Sequence, residues 1–193
     1  MLKSLNNLTG IKMKEFINNE MMVHIPLCSH KEPKNVLIIS NDIEKLENEI
    51  QKHDKINFDG VACTLENISK LDTQKYDVVI SELNVEELIT SQINRVLKDD
   101  GLIVNSVTSL DNIQEAKKAI NTLAKYTKIV MPFHIGEGKL ALLASKEYHP
   151  TADLILQRAD MLDNLDYYNS EVHIASFAMG NYIRKEYLGI IKN

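Results

Sequence analysis

Several patterns that assign a protein class at once are absent from this chain. Only two cysteines, Cys28 and Cys63, occur among 193 residues. So few cysteines give no disulfide framework and are typical of reduced thiols in a cytosolic protein. The longest apolar runs, residues 36–39 and 140–144, are far too short to cross a bilayer, and residues 1–20 lack the apolar segment of a secretory signal. We therefore expect a cytoplasmic protein without a membrane partner.

The chain also lacks an excess of positive charge. Its formal net charge is −5, which argues against a nucleic acid as partner. The six histidines show no zinc-type spacing with cysteine or acidic residues, so no metal is expected. Neither a phosphate-binding G-x-x-x-x-G-K-[ST] loop nor a G-x-S-x-G nucleophile turn occurs.

Short apolar runs predict the strands of a sheet. Residues 36–39 and 102–104 are continuous apolar stretches, and residues 76–80 are apolar apart from Asp77, as in parallel strands that are buried on both faces. Residues 56–58 and 61–63 predict two weaker strands, separated by Asp59-Gly60. The last two strands form an antiparallel pair around the turn between Gly136 and Gly138, over residues 127–131 and 140–144.

Helical periodicity fills the intervals between these strands. A capping box at 41–44 opens one helix, and Asn84 with Glu87 opens another that runs to Leu97, before a turn at 98–101. Asp111 is predicted to cap a helix whose inward residues are Ile113, Ala116, Ile120 and Leu123. Strands that alternate with helices predict an α/β, doubly wound sheet with right-handed crossovers.

The length of the chain predicts one domain over residues 1–193. We divide it into a lead-in helix at 1–30, a Rossmann-like core at 34–146 and a C-terminal helical segment at 147–193.

Two motifs, one near each end, carry a resemblance to a known family. Residues 15–27 read EFINNEMMVHIPL, His30 and PKNVLII at 33–39 follow, and residues 167–177 read YYNSEVHIASF. In this order they resemble the spermidine synthase (polyamine aminopropyltransferase) family, with E-F-x-Y-H-E-M-L-V-H-x-P-L near the start and Y-Y-N-x-x-x-H-x-A-A-F near the end. The resemblance implies a class I S-adenosylmethionine-dependent methyltransferase-like fold, here without the family's N-terminal β-domain and with a shortened stretch before Tyr76.

The resemblance also implies an activity. Family members transfer an aminopropyl group from decarboxylated S-adenosylmethionine, a co-substrate rather than a bound cofactor, to putrescine in polyamine biosynthesis. The expected ligands are therefore a polyamine or a nucleoside. The alternative is a catalytically inactive paralogue that acts as a binding or oligomer-partner subunit, because several family site residues are replaced here.

The nucleoside side of the site is the most altered part. The family's glycine-rich turn after the first strand is replaced by residues 40–44, and no glycine occurs between Gly10 and Gly60. The resemblance implies that Asp42 lies near the family's aspartate and that Asp59 is the candidate acid for the ribose hydroxyls. The simpler alternatives are that Asp42 caps a helix and that Asp59 belongs to a turn before glycine.

On the amine side of the site, this chain retains more of the family's acidic residues. Glu82 aligns with the family aspartate that helps to deprotonate the attacking amine, and is the candidate catalytic residue. Glu20 is retained, and His134 stands where the family has a tyrosine in the amine pocket, so both are candidate substrate-binding residues. Alternatively, Glu82 complements the N-terminus of the next helix and His134 is a loop residue.

Assembly is the last expectation. Without the family's N-terminal domain, apolar surface around Phe16, Met21, Met22 and Ile25 would be exposed, and such patches usually mark an interface. The C-terminal segment offers a second, aromatic surface of the kind found in interface cores, with Tyr167, Tyr168, Phe177 and Tyr182. We expect a homodimer, or a heterodimer with a full-length synthase.

Overall fold

The computed structural model describes residues 2–107, 110–136 and 138–193, with side chains from residue 15 onward. This part of the chain contains one six-stranded sheet, in the order β2-β1-β3-β4-β6-β5. Strands β1 to β4 are parallel, whereas β6 is antiparallel to both β4 and β5. The strands are β1 (Asn35–Ile39), β2 (Asn57–Val61), β3 (Tyr76–Ser81), β4 (Leu97–Val107), β5 (Ile129–His134) and β6 (Leu140–Ser145).

Helices cover both faces of the sheet. They are α1 (Leu2–Ser29), α2 (Ile43–Ile50), α3 (Leu65–Ser69), α4 (Glu87–Val96), α5 (Ile113–Leu123), α6 (Leu156–Asp160), α7 (Ser170–Ser176) and α8 (Asn181–Glu186). None of the helices in the described residues is both long and apolar enough to cross a membrane.

The alternation of side chains along the strands divides the core into two layers. Val36 and Ile38 point to the face that packs against α1, α2, α6 and the C-terminal Tyr168 and Phe177. Leu37 and other side chains of the opposite face pack against α3, α4, α5 and α8. Because both faces are covered, the strands read as continuous apolar runs, and the predicted doubly wound α/β fold is confirmed.

Two local predictions about strands were wrong. Residues 57–61 form one strand that continues through Asp59-Gly60, paired in parallel with β1. A Cβ on Gly60 would lie 2.7 Å from Cγ2 of Ile43, so close packing of α2 explains this glycine better than a turn. The predicted turn at 98–101 is part of β4, where the register with β3 shifts between Tyr76 and Val78.

Helix starts also differ from the prediction. Helix α4 begins at Glu87 after Glu86, not at Asn84. Helix α5 begins at Ile113, which is 36% exposed and not inward-facing. Helix ends fray and their assignment varies by one or two residues, so periodicity defines the first residue of a helix less well than its interior.

Most of the apolar surface expected on α1 is covered in the described residues, and only Phe16 of the four side chains is partly exposed. Met21, Met22 and Ile25 are at most 1% exposed and belong to the larger core layer. Residues 147–193 fold back over this helix: Arg158 Nη1 donates to the carbonyls of Leu27 and His30 at the end of α1, at 2.5 and 2.7 Å. The division into lead-in helix, core and C-terminal segment stays a prediction, although the first and last of these pack together here.

A buried polar network joins α1 to the end of α2. His24 Nε2 lies 3.0 Å from Glu49 Oε2, and His24 Nδ1 lies 2.9 Å from His53 Nε2. A carboxylate only accepts, so neutral His24 donates from Nε2 and accepts at Nδ1. Burial alone would raise the pKa of Glu49, but hydrogen bonds from His24 and Lys52 hold that pKa below its ordinary value.

Two buried histidines stay neutral in the folded chain. Burial, assisted by the neighbouring His24, lowers the pKa of His53 to about 3. Burial lowers the pKa of His173 to about 4; its ring lies between the Tyr168 hydroxyl at 2.8 Å and the Pro150 carbonyl at 2.9 Å. Since the unfolded chain takes up a proton near pH 6.5, stability decreases as pH falls below that value.

We therefore predict an acid-sensitive fold. Between pH 7.5 and pH 5.0 each of these histidines should cost about 2 kcal/mol of unfolding free energy, because only the unfolded state is protonated there. Urea unfolding at the two pH values measures the loss. His173→Gln should reduce it by about 2 kcal/mol, whereas His134→Gln, at an exposed histidine, should leave it unchanged. Equal losses in His173→Gln and the parent protein would contradict the prediction.

Candidate functional site

The site lies where the sheet changes its winding direction. Strand β1 is flanked by β2 on one side and β3 on the other, so the chain leaves the carboxyl ends of β1 and β3 in opposite directions. Ligands of doubly wound folds bind in the crevice at this point. Here Ser40 follows β1 and Glu82 follows β3, and the Glu82 amide donates to the Ile39 carbonyl at 2.9 Å.

Ser40 fixes both sides of this crevice. Its hydroxyl donates to Glu82 Oε2 at 2.5 Å and accepts the amide of Asp42 at 2.9 Å. The predicted capping of α2 is only partly present, since Asp42 occupies the N-cap position but makes no side-chain capping bond. The serine that stands in the turn where the family has glycine therefore orients the acid on the neighbouring strand.

Three carboxylates surround one ammonium group at the mouth of the crevice. Lys45 Nζ lies 3.7 Å from Glu82 Oε1, 3.7 Å from Asp42 Oδ2 and 4.0 Å from Glu15 Oε1. We call Glu15, Asp42 and Glu82 the carboxylate cluster. Lys45 and Glu82 are 24% and 27% exposed, whereas the other two acids are more than half exposed. The cluster carries an excess of negative charge and suits a cationic ligand.

Neutral polar groups hold the loops around the cluster. Asn41 Oδ1 accepts the Cys63 amide at 3.3 Å, and Asn105 Nδ2 donates to the Leu83 carbonyl at 2.9 Å. Burial and the charge of Glu82 raise the pKa of the Cys63 thiol. Cys63 is therefore a protonated thiol that donates to the Ile39 carbonyl at 3.5 Å, and not a nucleophile.

Asp59 lies apart from the cluster. It stands two residues before the end of β2, where it pairs with Leu37 of β1. Its Oδ2 accepts from Lys75 Nζ at 2.6 Å and from the Tyr76 hydroxyl at 2.7 Å. These hydrogen bonds hold the pKa of Asp59 below its usual range. Its predicted contact with a ribose stays a prediction, and a ligand would have to compete with Lys75.

His134 lies on the same edge of the sheet but far from Glu82. It is the exposed last residue of β5, three strand positions from β3, which corresponds to about 14 Å at the usual strand spacing. The turn after β5 approaches α1, because a Cβ on Gly136 would lie 2.6 Å from Cγ2 of Ile17. Helix α1 thus connects the carboxylate cluster at Glu15 with the β5–β6 turn.

Glu20 is buried and already fully engaged. It is 2% exposed, and its carboxylate accepts the backbone amides of Asp166, Tyr167 and Tyr168 at 2.9, 2.9 and 2.7 Å. These contacts connect α1 to the C-terminal segment. The predicted contact between Glu20 and a substrate stays a prediction. The C-terminal segment covers almost all of the carboxylate in the free protein.

One group of described residues has the composition of a metal site, at the opposite end of the sheet. His30, Asp77 and Asp100 place ligand atoms within 4.8 Å of one another. However, Asp77 Oδ1 already accepts a hydrogen bond from Lys98 Nζ at 2.7 Å. The Glu32 amide donates to His30 Nδ1 at 3.1 Å, which leaves the ring proton on Nε2, the atom that would bind a metal. We assign no metal to this group.

A cavity of about 660 Å³ also opens at that end, between the starts of β1 and β2 and helix α6. Two of the cations that line it are paired with acids: Lys34 with Glu32 at 2.9 Å and Lys52 with Glu49 at 2.8 Å. The chemistry expected from the sequence lies at the other edge of the sheet, so this cavity is not the candidate site.

Sequence reasoning missed Ser40 and Lys45. Ser40 was read only as a lost glycine, and its contact with Glu82 joins residues 42 positions apart in the chain. Lys45 carries a visible signal, because a lysine three residues after Asp42 in the first turn of a helix opposes the helix dipole. Such a residue indicates a nearby source of negative charge.

We predict that Glu20 contributes strongly to stability. Glu20→Ala should lower the free energy of unfolding by about 3 kcal/mol, because one buried and two partly buried backbone amides lose their acceptor. Glu20→Gln keeps one acceptor oxygen and should lose less. Glu115→Ala, at an exposed acid in the first turn of α5, is the control for loss of a carboxylate. Calorimetric unfolding that ranks Glu20→Ala with Glu115→Ala would contradict this role.

Comparisons with known proteins agree with this geometry. The model of the Spermine/spermidine synthase domain matches residues 15–67. The polyamine aminopropyltransferase of Helicobacter acinonychis (strain Sheeba) is 28% identical over 193 residues, covering 84% of this chain and 73% of the relative. That of Clostridium acetobutylicum is 28% identical over 227 residues, covering 89% and 78%.

Solved structures show the same fold. Spermidine synthase from Thermotoga maritima superposes with a TM-score of 0.80 at 25% identity, covering 92% of this chain and 75% of that chain. A spermidine synthase in complex with the transition-state analogue AdoDATO gives a TM-score of 0.81 at 24% identity, covering 92% and 77%. Motifs, relatives and fold agree: the chain is similar to the spermidine synthase (polyamine aminopropyltransferase) family.

Proposed function

We propose that the protein transfers the aminopropyl group of decarboxylated S-adenosylmethionine to putrescine. The single observation that carries this proposal is the position of Glu82. Its carboxylate stands at the carboxyl end of β3, at the switch point of the sheet, and is held there by Ser40 while about a quarter of it remains exposed. The curated relatives are named for this activity.

The reaction requires a base beside a cation. The attacking amine of putrescine arrives as an ammonium ion and must lose one proton before its nitrogen forms a bond with the carbon next to the sulfonium. The bond between this carbon and sulfur breaks as the new bond forms, and its electron pair stays on sulfur, which becomes a neutral thioether. Glu82 is our proposed catalytic residue, since its carboxylate can bind the ammonium, orient it and accept the proton.

The other acids of the cluster supply negative charge that attracts cationic ligands, and they transfer no proton. Asp42 lies at the first turn after β1, where it would face the sulfonium co-substrate, so we propose it for co-substrate binding. Asp59, Glu20 and His134 keep their predicted binding roles as proposals; for Glu20 the engaged carboxylate favours positioning of residues 166–168 over direct contact. The comparisons do not favour the alternative, a catalytically inactive paralogue.

We predict that Glu82→Gln abolishes transfer and preserves the fold. The amide still accepts from Ser40 but takes up no proton, so spermidine formation from decarboxylated S-adenosylmethionine and putrescine should fall at least about 100-fold, the usual range for loss of a general base. Product formation is followed by mass spectrometry, and folding by the melting temperature.

The matched control is Glu86→Gln, four residues later at the exposed N-cap of α4. It makes the same chemical change outside the cluster and should retain full activity. Unchanged activity in Glu82→Gln would transfer the proposed role to another acid, and no spermidine from the parent protein would refute the proposed function.

We further propose a homo-oligomer, with its interface on the C-terminal segment. Because the core covers Met21 and Met22, the exposed apolar surface lies elsewhere: Tyr182 is 72% exposed and Leu188 is 84% exposed. Large aromatic and apolar side chains that are this accessible are typical of interface cores.

This surface predicts a dimer that a polar substitution disrupts. Light scattering during size exclusion at micromolar concentration should give about twice the 21.9 kDa of the chain. The double variant Tyr182→Ser, Leu188→Ser should run as a monomer, because it removes the apolar contact. Leu88→Ser, at a 59% exposed leucine on α4, is the control and should remain dimeric. A monomeric parent protein would refute the homo-oligomer.

A further inference from the structure

Lys45 sits within the carboxylate cluster without forming a close ion pair. Its Nζ is 3.7 to 4.0 Å from all three acids, whereas surface pairs in this chain, such as Lys70 with Glu66, close to 2.6 Å. The ammonium group is thus attracted by three carboxylate oxygens together, and it forms no short hydrogen bond with any one of them. The Lys45 side chain is 24% exposed, so it can move out into solvent.

The helix does not favour a cation here. Lys45 is the third residue of α2, where the partial positive charge of the helix N-terminus opposes a lysine and favours acids such as Glu44. The position of the Lys45 ammonium therefore depends on the carboxylate cluster, and a second cation of the same shape would be attracted to the same place.

The lysine side chain has the shape of such a cation. It consists of four methylene groups that end in an ammonium, which is the chemical structure of one end of a 1,4-diamine. We propose that Lys45 is a built-in competitor for the ammonium group of an amine substrate, so that an amine binds beside Glu82 only when Lys45 leaves. Lys45 thereby sets the affinity and the charge preference of the site, an inference that rests on the amine site of the proposed function.

Binding of putrescine tests this competition directly. Isothermal titration calorimetry should show that Lys45→Met, which keeps the apolar stem and removes the charge, binds putrescine at least tenfold more tightly than the parent protein. Lys45→Arg keeps the cation and should bind within twofold of the parent protein. Butane-1,4-diol has the same length but no charge, and its affinity should be the same for the parent protein and for each variant.

The matched control is Lys70→Met, which changes the net charge by the same amount on α3, where Lys70 contacts only the exposed Glu66 in the described structure. It should bind putrescine like the parent protein. An equal gain in Lys70→Met would show a general charge effect and overturn the proposal. So would unchanged, weaker or undetectable putrescine binding by Lys45→Met, because a cluster freed of its own cation must attract a diamine.

Two further measurements keep the test decisive. If Lys45→Met unfolds because its carboxylates repel one another, Lys45→Gln provides a neutral side chain that can donate to them, and the same tenfold gain is expected. Spermidine formation is assayed separately. Tighter putrescine binding without product in any variant would refute the proposed function and leave the competition intact, whereas product without tighter binding would refute the competition alone.

Discussion

The buried carboxylate of Glu20 is the constraint on which the rest of the structure depends. Residues 20–30 of α1 and the turn after it are buried throughout, and within the described residues no ion pair neutralises the acid at their start. Three consecutive backbone amides, of residues 166–168, take that role, so the C-terminal segment must fold back over α1. This contact presses α1 onto the sheet and onto α2, and thereby brings Glu15 to the mouth of the crevice, beside Lys45.

Patterns that are local in sequence predicted most of the sheet. The strands at 36–39, 76–80 and 102–104 and the final hairpin are recognisable because burial on both faces leaves runs that are almost entirely apolar. Features that depend on distant packing were not predictable. Asp59-Gly60 looks like a turn until Ile43 of α2 packs on that glycine, and Met21 and Met22 look like an exposed patch until the C-terminal segment covers them.

The same distinction applies to the site. Glu82 could be proposed from its place after a buried strand and from the family motif, both of which are local. Its partners could not, since Ser40 reaches it from another strand and Lys45 from a helix that returns along the sheet. Asp59 shows the reverse. It was proposed because it is the only acid in its stretch, but in the structure its carboxylate accepts hydrogen bonds from Lys75 and Tyr76. No pattern in the local sequence indicates that these two residues lie beside it.

Electrostatics links the loss of glycine to the presence of Lys45. A glycine turn leaves room for a ligand but supplies no side chain, whereas Ser40 fills part of that room and in return orients Glu82 by a hydrogen bond. Three carboxylates near one point repel one another, at about 1 kcal/mol or more for each pair at 4 Å in water and more where water is excluded. A cation is therefore needed whether or not a substrate is present. Lys45 supplies it from within the chain, so the acids stay together in the free protein.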